Sequence, residues 1–204
     1  YVREVANAAV SETVWDDAVK NLDNRFNREW AHENIGAYFS GSMRFESAFV
    51  LNAGGRMIYA MRDGEDVGPD AVRDLRDASA HLTARVREME ARRRPLKDLI
   101  PQGLTLSEPI LASAVTLASG RPYILTATLV QPDFGKSMPR GAQAPIVVTA
   151  MAFNKKAATH LAENFMLSQM HFHLGLHEDE PGRASVPIGG AKELATLDWL
   201  PARP

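Results

Sequence analysis

Residues 45–62 read "FESAFVLNAGGRMIYAMR", and this stretch constrains the fold more tightly than any other in the chain. Two runs rich in β-branched and aromatic residues flank Asn52-Ala53-Gly54-Gly55, whose glycines supply the positive-φ positions that a tight reversal needs. The spacing predicts a β-hairpin from Phe45 to Arg62. After it, "DGEDVGPD" breaks the pattern, and Pro69 or Asp70 opens a helix.

That helix, residues 70–94, carries Val72, Leu75, Ser79, Leu82, Val86 and Met89 at alternating steps of three and four. Such a narrow seam fits a helix lying on its own sheet or a contact with a second copy, and Glu88 with Arg92 and Glu90 with Arg94 stand at the supportive i,i+4 spacing. Before the hairpin, Trp15, Val19, Leu22, Phe26 and Trp30 share one helical face, and Val2, Val5 and Ala9 extend the pattern backward. If all of the first ~30 residues were helical they would form a rod of about 45 Å. Thr13 is the expected cap of a turn containing Asp16 and Asp17.

Beyond Pro95 the chain reads mostly as strand. "PILASAVTLASG", "RPYILTATLV" and "APIVVTAMAF" are parted by Ser119-Gly120 and by a loop over residues 131–143, and "LSQMHFHLG", "ASVPIG" and "ATLDWL" predict three more strands. Residues 155–166 predict a short helix capped by Asn154. The order of helices, hairpin, helix and strands specifies an α+β fold with an antiparallel sheet.

Composition narrows the function. With 23 basic and 25 acidic residues and a formal charge of -2, and with Arg92-Arg93-Arg94 lying beside Glu88 and Glu90, nothing marks a nucleic-acid surface. The absence of cysteine excludes disulfides, thiolate zinc sites and cysteine nucleophiles. No run approaches the ~20 apolar residues that span a bilayer, and a chain opening at Tyr1 without a signal peptide is expected to be a piece of a longer one.

The tempting chemistry lies in "HFHLGLHE". His171, His173 and His177 would project from one face of an extended strand, where three imidazoles are able to hold a metal or to titrate near neutrality. The metal-hydrolase pattern His-x-His-x-Asp-His fails at Gly175, and a cupin-like set lacks its flanking glycines and its later histidine. A metal-dependent enzyme or a metal-binding domain on this strand is therefore the alternative, and the main expectation is a structural or pH-responsive role for the histidines, with no metal and no cofactor. Nucleophile elbows, phosphate loops, dinucleotide fingerprints and His-Glu-x-x-His are all missing, and adjacent Asp16 and Asp17 diverge by about 100° on a helix. No enzyme activity is expected of the chain itself.

"VWDDAVKNLDNRFNREWAHENIG" followed by "SAFVLNAGGRMIYAM" resembles the fourth CHASE family of extracytoplasmic sensor domains, through Trp15-Asp16-Asp17, Trp30, Asn34 and a hairpin with Gly55 at its turn. "GRPYILTATLVQPDFG", "PIVVTAMAFNKKAATHLAENFML" and "LATLDWLPARP" are similar more loosely, and Asn52 stands where the family often has Asp. The resemblance implies a PAS/Cache-like antiparallel sheet flanked by a long N-terminal helix and a second amphipathic helix. It implies one sensor domain over residues 1–204, with a helical region at 1–40 and a sheet-containing core at 45–204. It also implies the periplasmic part of an inner-membrane protein, a small-molecule ligand and a homodimer. The output would be a cyclic-di-GMP synthase or phosphodiesterase or a histidine kinase, with Tyr1 and Pro204 on the same membrane-facing side.

For the ligand site, Trp15 and Trp30 are candidates to enclose a small apolar or aromatic ligand, with Asp17, Asn34, Tyr38 and Tyr123 as polar contacts. Both tryptophans also suit a core, where their large rings would hold the helix on the sheet.

Overall fold

The computed structural model of the chain describes residues 2–99, 108–154, 159, 162, 168–174, 182–188 and 195–200. Residues 155–158 and most of 160–167, where a helix was expected, lie outside the described residues, as do His177, Tyr1 and Pro204. Tyr1–Ala114 with Leu125–Met151 form one compact unit, and Val115–Ile124 with Ala152–Pro204 form a second.

The expected hairpin is present. Strand β1 (Ser47–Leu51) pairs antiparallel with β2 (Met57–Arg62), and Gly55 takes φ 76° in the turn. Asn52 closes that turn from both ends: its N–H donates to the Arg56 carbonyl and its side chain accepts from the Arg56 N–H, both at 2.9 Å. The register slips between Val50 and Leu51, leaving Ile58 without a partner on β1. Such a bulge bends the strand and re-aims its side chains.

A short β3 (Glu65–Asp66) borders β2 where the sequence reads only as a break. Strands β4 (Leu111–Ala118), β5 (Arg121–Leu129) and β6 (Ile146–Ala152) complete a six-stranded antiparallel sheet of order β3-β2-β1-β6-β5-β4. The observed fold class is thus the α+β antiparallel one expected. All five residues of β1 are buried, which requires cover on both faces of the sheet. Tyr59 and Arg62, three apart on β2, show what supplies it. The first meets the N-terminal segment at Gly36; the second reaches Asp74 and the Ala71 carbonyl of the following helices.

Those helices begin with a 3-10 turn at Pro69–Val72 and continue as α5 (Arg73–Ala78) and α6 (Ala80–Arg92). Val72, Leu75, Ser79, Leu82 and Val86 are all 3 % exposed or less within the single chain and Met89 is half-buried, so most of the seam belongs to the chain's own core. The i,i+4 pairs expected for Glu88 and Glu90 give way at Glu90 to a buried knot. Its carboxylate accepts from Arg87 at 2.6 Å and from the Ala144 N–H at 2.7 Å. Arg87 and the Ala144 amide take the place of the expected Arg94 because Glu90 faces inward, where an unpaired charge would be costly.

The N-terminal rod does not form. Helix α1 (Val2–Ala8) ends, and Val14 then bridges in parallel to Gln131, with Trp15 extended at φ -159°. A short α2 (Asp16–Ala18) runs into a π-helical turn (Val19–Asn24), and the chain opens at Arg25 before α3 (Arg28–Ala31), a second π turn (His32–Ala37) and α4 (Tyr38–Gly41). The break has a local cause: the Asn27 side chain accepts from the Trp30 N–H at 3.2 Å, capping a new helix instead of continuing the old one. Phe26 falls in that gap and is 39 % exposed, off the apolar face that its spacing assigned to it.

The second unit holds a three-stranded antiparallel sheet of order β7-β9-β8, built from β7 (Ser168–Leu174), β8 (Ala184–Ile188) and β9 (Ala195–Leu200). All six strands expected after Pro95 are therefore found.

Candidate functional site

The tryptophans of the N-terminal segment do meet. Although fifteen residues apart, the rings of Trp15 and Trp30 stand 5.7 Å apart between centroids and are tilted by 44°. Both are half-buried, a geometry favourable for an aromatic pair. Asn34 is attached to the same place, its side chain donating to the Trp30 carbonyl at 2.9 Å. Asp17 is exposed, and its backbone carbonyl accepts from the Asn21 side chain. Tyr38 is half-buried with its ring 6.0 Å from that of Phe39. Tyr123 belongs to the second unit, is 1 % exposed and carries the Arg121 guanidinium 5.4 Å above its ring.

The aspartate pair has unequal fates. Asp16 is buried and accepts from the N–H groups of Phe134 at 3.3 Å and Ser137 at 3.2 Å, while Asp133 accepts from the Asp16 N–H at 2.9 Å. Asp23 is buried too and accepts from the Arg140 N–H at 2.7 Å; Asn24 donates to the Met138 carbonyl at 2.8 Å. These bonds peg the loop over residues 131–143 to the N-terminal segment. Thr13, expected as the helix cap, instead donates back to the Ala9 carbonyl at 2.7 Å.

Two clefts flank the bulged residue Ile58. One, of about 170 Å³, is lined by Leu22, Asp23, Phe26, Asn52, Ile58 and Arg140, the last from the pegged loop. The other, of about 280 Å³, is lined by Arg28, Met57, Ile58, Tyr59, Asp66 and Pro69 among others. At the second cleft three donors converge on Asp66: Arg28 at 3.0 Å, His32 Nδ1 at 2.9 Å and the Tyr59 hydroxyl at 2.7 Å. Facing a carboxylate, His32 Nδ1 is the donating, protonated nitrogen.

Burial alone would raise the Asp66 carboxyl, but the bonds from His32, Tyr59 and Arg28 outweigh it and hold the group below its ordinary value. Burial, and then the bond to Asp66, push the Tyr59 phenol well above its usual range. Gly36 makes the arrangement possible, because a Cβ there would stand 2.2 Å from the Tyr59 hydroxyl oxygen. Sequence reasoning missed this cluster: its partners sit 7, 34 and 38 residues from Asp66, and no short motif records such distances.

On β7, His171 and His173 share a face as expected. The third group beside them is Asp198 of β9, directly across from His171 and 2 % exposed, with Arg183 donating to it at 2.8 Å. Among the described residues no helix is long and apolar enough to cross a membrane.

No curated protein matches the chain. Among solved structures, the ligand-binding domain of the Pseudomonas fluorescens chemoreceptor CtaA in complex with L-serine is similar at 12 % identity. The match covers 96 % of this chain and 88 % of that one at a TM-score of 0.38, a likeness too distant to transfer a site or a ligand. The family model for the CHASE4 domain matches residues 2–173, a span holding the tryptophan pair, the hairpin and the six-stranded sheet: the chain belongs to the CHASE4 family of extracytoplasmic sensor domains.

Proposed function

We propose that the chain is the periplasmic ligand-sensing input of a membrane-bound bacterial signalling protein, whose output is a cyclic-di-GMP synthase or phosphodiesterase or a histidine kinase. The observation that carries this reading is the CHASE4 match over residues 2–173. The chain acts as one non-catalytic sensor domain, works as a homodimer and is tethered to the inner membrane in the whole protein. Because α5 and α6 bury most of their seam inside the chain, the dimer contact uses another surface. A small molecule that binds one arrangement of sheet and N-terminal segment more tightly than another shifts their populations, and that shift is the signal.

The ligand is proposed to sit at Trp15 and Trp30, with Asp17, Asn34 and Tyr38 as the polar candidates. The ring contact of the two tryptophans and the Asn34 bond support this seat. A second seat, favoured by open volume, is the cleft of about 280 Å³ beside Tyr59 and Asp66. A thermal-shift screen of small metabolites tests both. A true ligand at about 100 times its Kd adds roughly 2.7 kcal/mol to stability. Folded Trp30→Ala that no longer responds locates the ligand at the tryptophans, and loss of response in Asp66→Asn locates it in the cleft. If Trp30→Ala unfolds the domain, the tryptophans are core. Membrane helices on both sides of this chain in the whole protein, followed by a cytoplasmic signalling domain, are expected; a whole protein without them ends the proposal.

A further inference from the structure

The face of the three-stranded sheet gathers two imidazoles and a carboxylate. His171 and His173 lie two apart on β7, and Asp198 lies on the central strand β9, cross-strand from His171. Their ligating atoms all stand within 4.8 Å of one another. Both rings aim at the same oxygen: His171 Nδ1 is 3.8 Å and His173 Nε2 3.6 Å from Asp198 Oδ1. These separations are longer than a hydrogen bond. They are close to the ~3.3–3.5 Å that separates ligand atoms around a tetrahedral ion with bonds of about 2.0–2.2 Å.

Two further features fit such a use. Arg183 binds Asp198 chiefly through Oδ2, with Nε at 2.8 Å, while its Nη2 is 3.3 Å from Oδ1. The carboxylate is thereby oriented by an outer partner, with Oδ1 turned toward the imidazoles, the way ligating carboxylates are commonly held. The ladder between β7 and β9 also slips between Ser168 and His171, where Gln169 takes φ 49° and its carbonyl accepts from Arg183. A non-glycine residue in that region is strained, and strain of this kind gathers where side chains must be aimed.

We infer that His171, His173 and Asp198 form a binding site for a late first-row divalent cation of the zinc class, with water completing the shell. Two nitrogens and one carboxylate oxygen suit Zn2+, Co2+ and Ni2+ in preference to Mg2+ or Ca2+, whose shells are all oxygen. The Arg183 charge beside the carboxylate weakens the site relative to one with a neutral outer partner, which suits an ion that comes and goes. The site is independent of the small-molecule seat proposed above, and its failure would leave that proposal standing.

Calorimetric titration of the tag-free, chelator-treated 204-residue chain with ZnCl2 is the test, with CoCl2 as a spectroscopic probe of tetrahedral coordination. One saturable site is expected, weakened at least ~10-fold in His171→Ala and in His173→Ala and unchanged in His81→Ala. His171 is 58 % exposed, so its loss spares the fold, as near-ultraviolet circular dichroism will verify. Absence of saturable binding, or binding that survives His171→Ala, overturns the site. Loss of binding in His177→Ala overturns water as the completing ligand, and binding that survives undiminished in Asp198→Asn overturns Asp198 as the third ligand.

Discussion

Asp16 and Asp198 are both buried carboxylates, and they are satisfied in opposite ways. Asp16 accepts from backbone N–H groups of a loop that lies more than a hundred residues away along the chain. Asp198 is held by a guanidinium and faced by two imidazoles. Backbone donors cannot swing aside, so the first arrangement fixes a loop in place. Side chains can rotate, share or release, so the second can rearrange around a newcomer. Asp66, which accepts from the side chains of Arg28, His32 and Tyr59, is of the second kind but lies beside a cleft.

This contrast is open to direct attack. Asp16→Ala strands the Ser137 amide, while the Phe134 amide keeps its 2.9 Å bond to Asp133, and should cost about 1–3 kcal/mol in urea unfolding, against about 0.5 kcal/mol or less for the exposed Asp17→Ala. Equal losses would end the claim that Asp16 is a peg. Gly36→Ala should cost about 1–3 kcal/mol by forcing Tyr59 away from Asp66, and a tyrosine-absorbance change at the same time would locate the disturbance. Tyr59→Phe, which removes a single bond, should cost about 0.5–1.5 kcal/mol.

The pH dependence sharpens the side-chain case. A carboxyl held below its ordinary value contributes stability that is complete above that value, near pH 4, and is lost as pH falls through the folded-state value. Tyr59→Phe weakens that hold, so its stability should fall less than that of the parent between about pH 6 and about pH 3. A steeper fall in the variant would refute the role given to the hydroxyl. The smallest effect is expected from Arg28→Ala, under about 1 kcal/mol, because Arg28 is 69 % exposed and solvent screens its pairing with Asp66.

The strands were legible because alternation and turn residues are local signals. Asn52 to Gly55 marked the hairpin and Ser119-Gly120 the next reversal, and both stand where expected. β3 was not legible, since two residues carry no period. The N-terminal rod was misread because apolar spacing says nothing about where a helix ends. Asn27 ended one, and the two π turns altered the phase of what followed. At the sites, the reach of the code was shorter still. His171 and His173 could be paired by parity on one strand, but Asp198 came from another strand altogether. Trp15 and Trp30 were matched by spacing and family resemblance, whereas Asp66 drew two of its three partners from the N-terminal segment through the fold alone.

The touching indoles have an optical consequence. Two such chromophores at 5.7 Å and a 44° tilt are expected to couple their excited states and so to split the far-ultraviolet dichroism into a paired positive and negative band. One ring stands just before the turn that Asp16 pegs to the loop, and the other lies in the helix that Asn27 caps, so the band pair reports the alignment of two short helices without any label. A shift of one against the other would alter the spectrum before it altered the helix content.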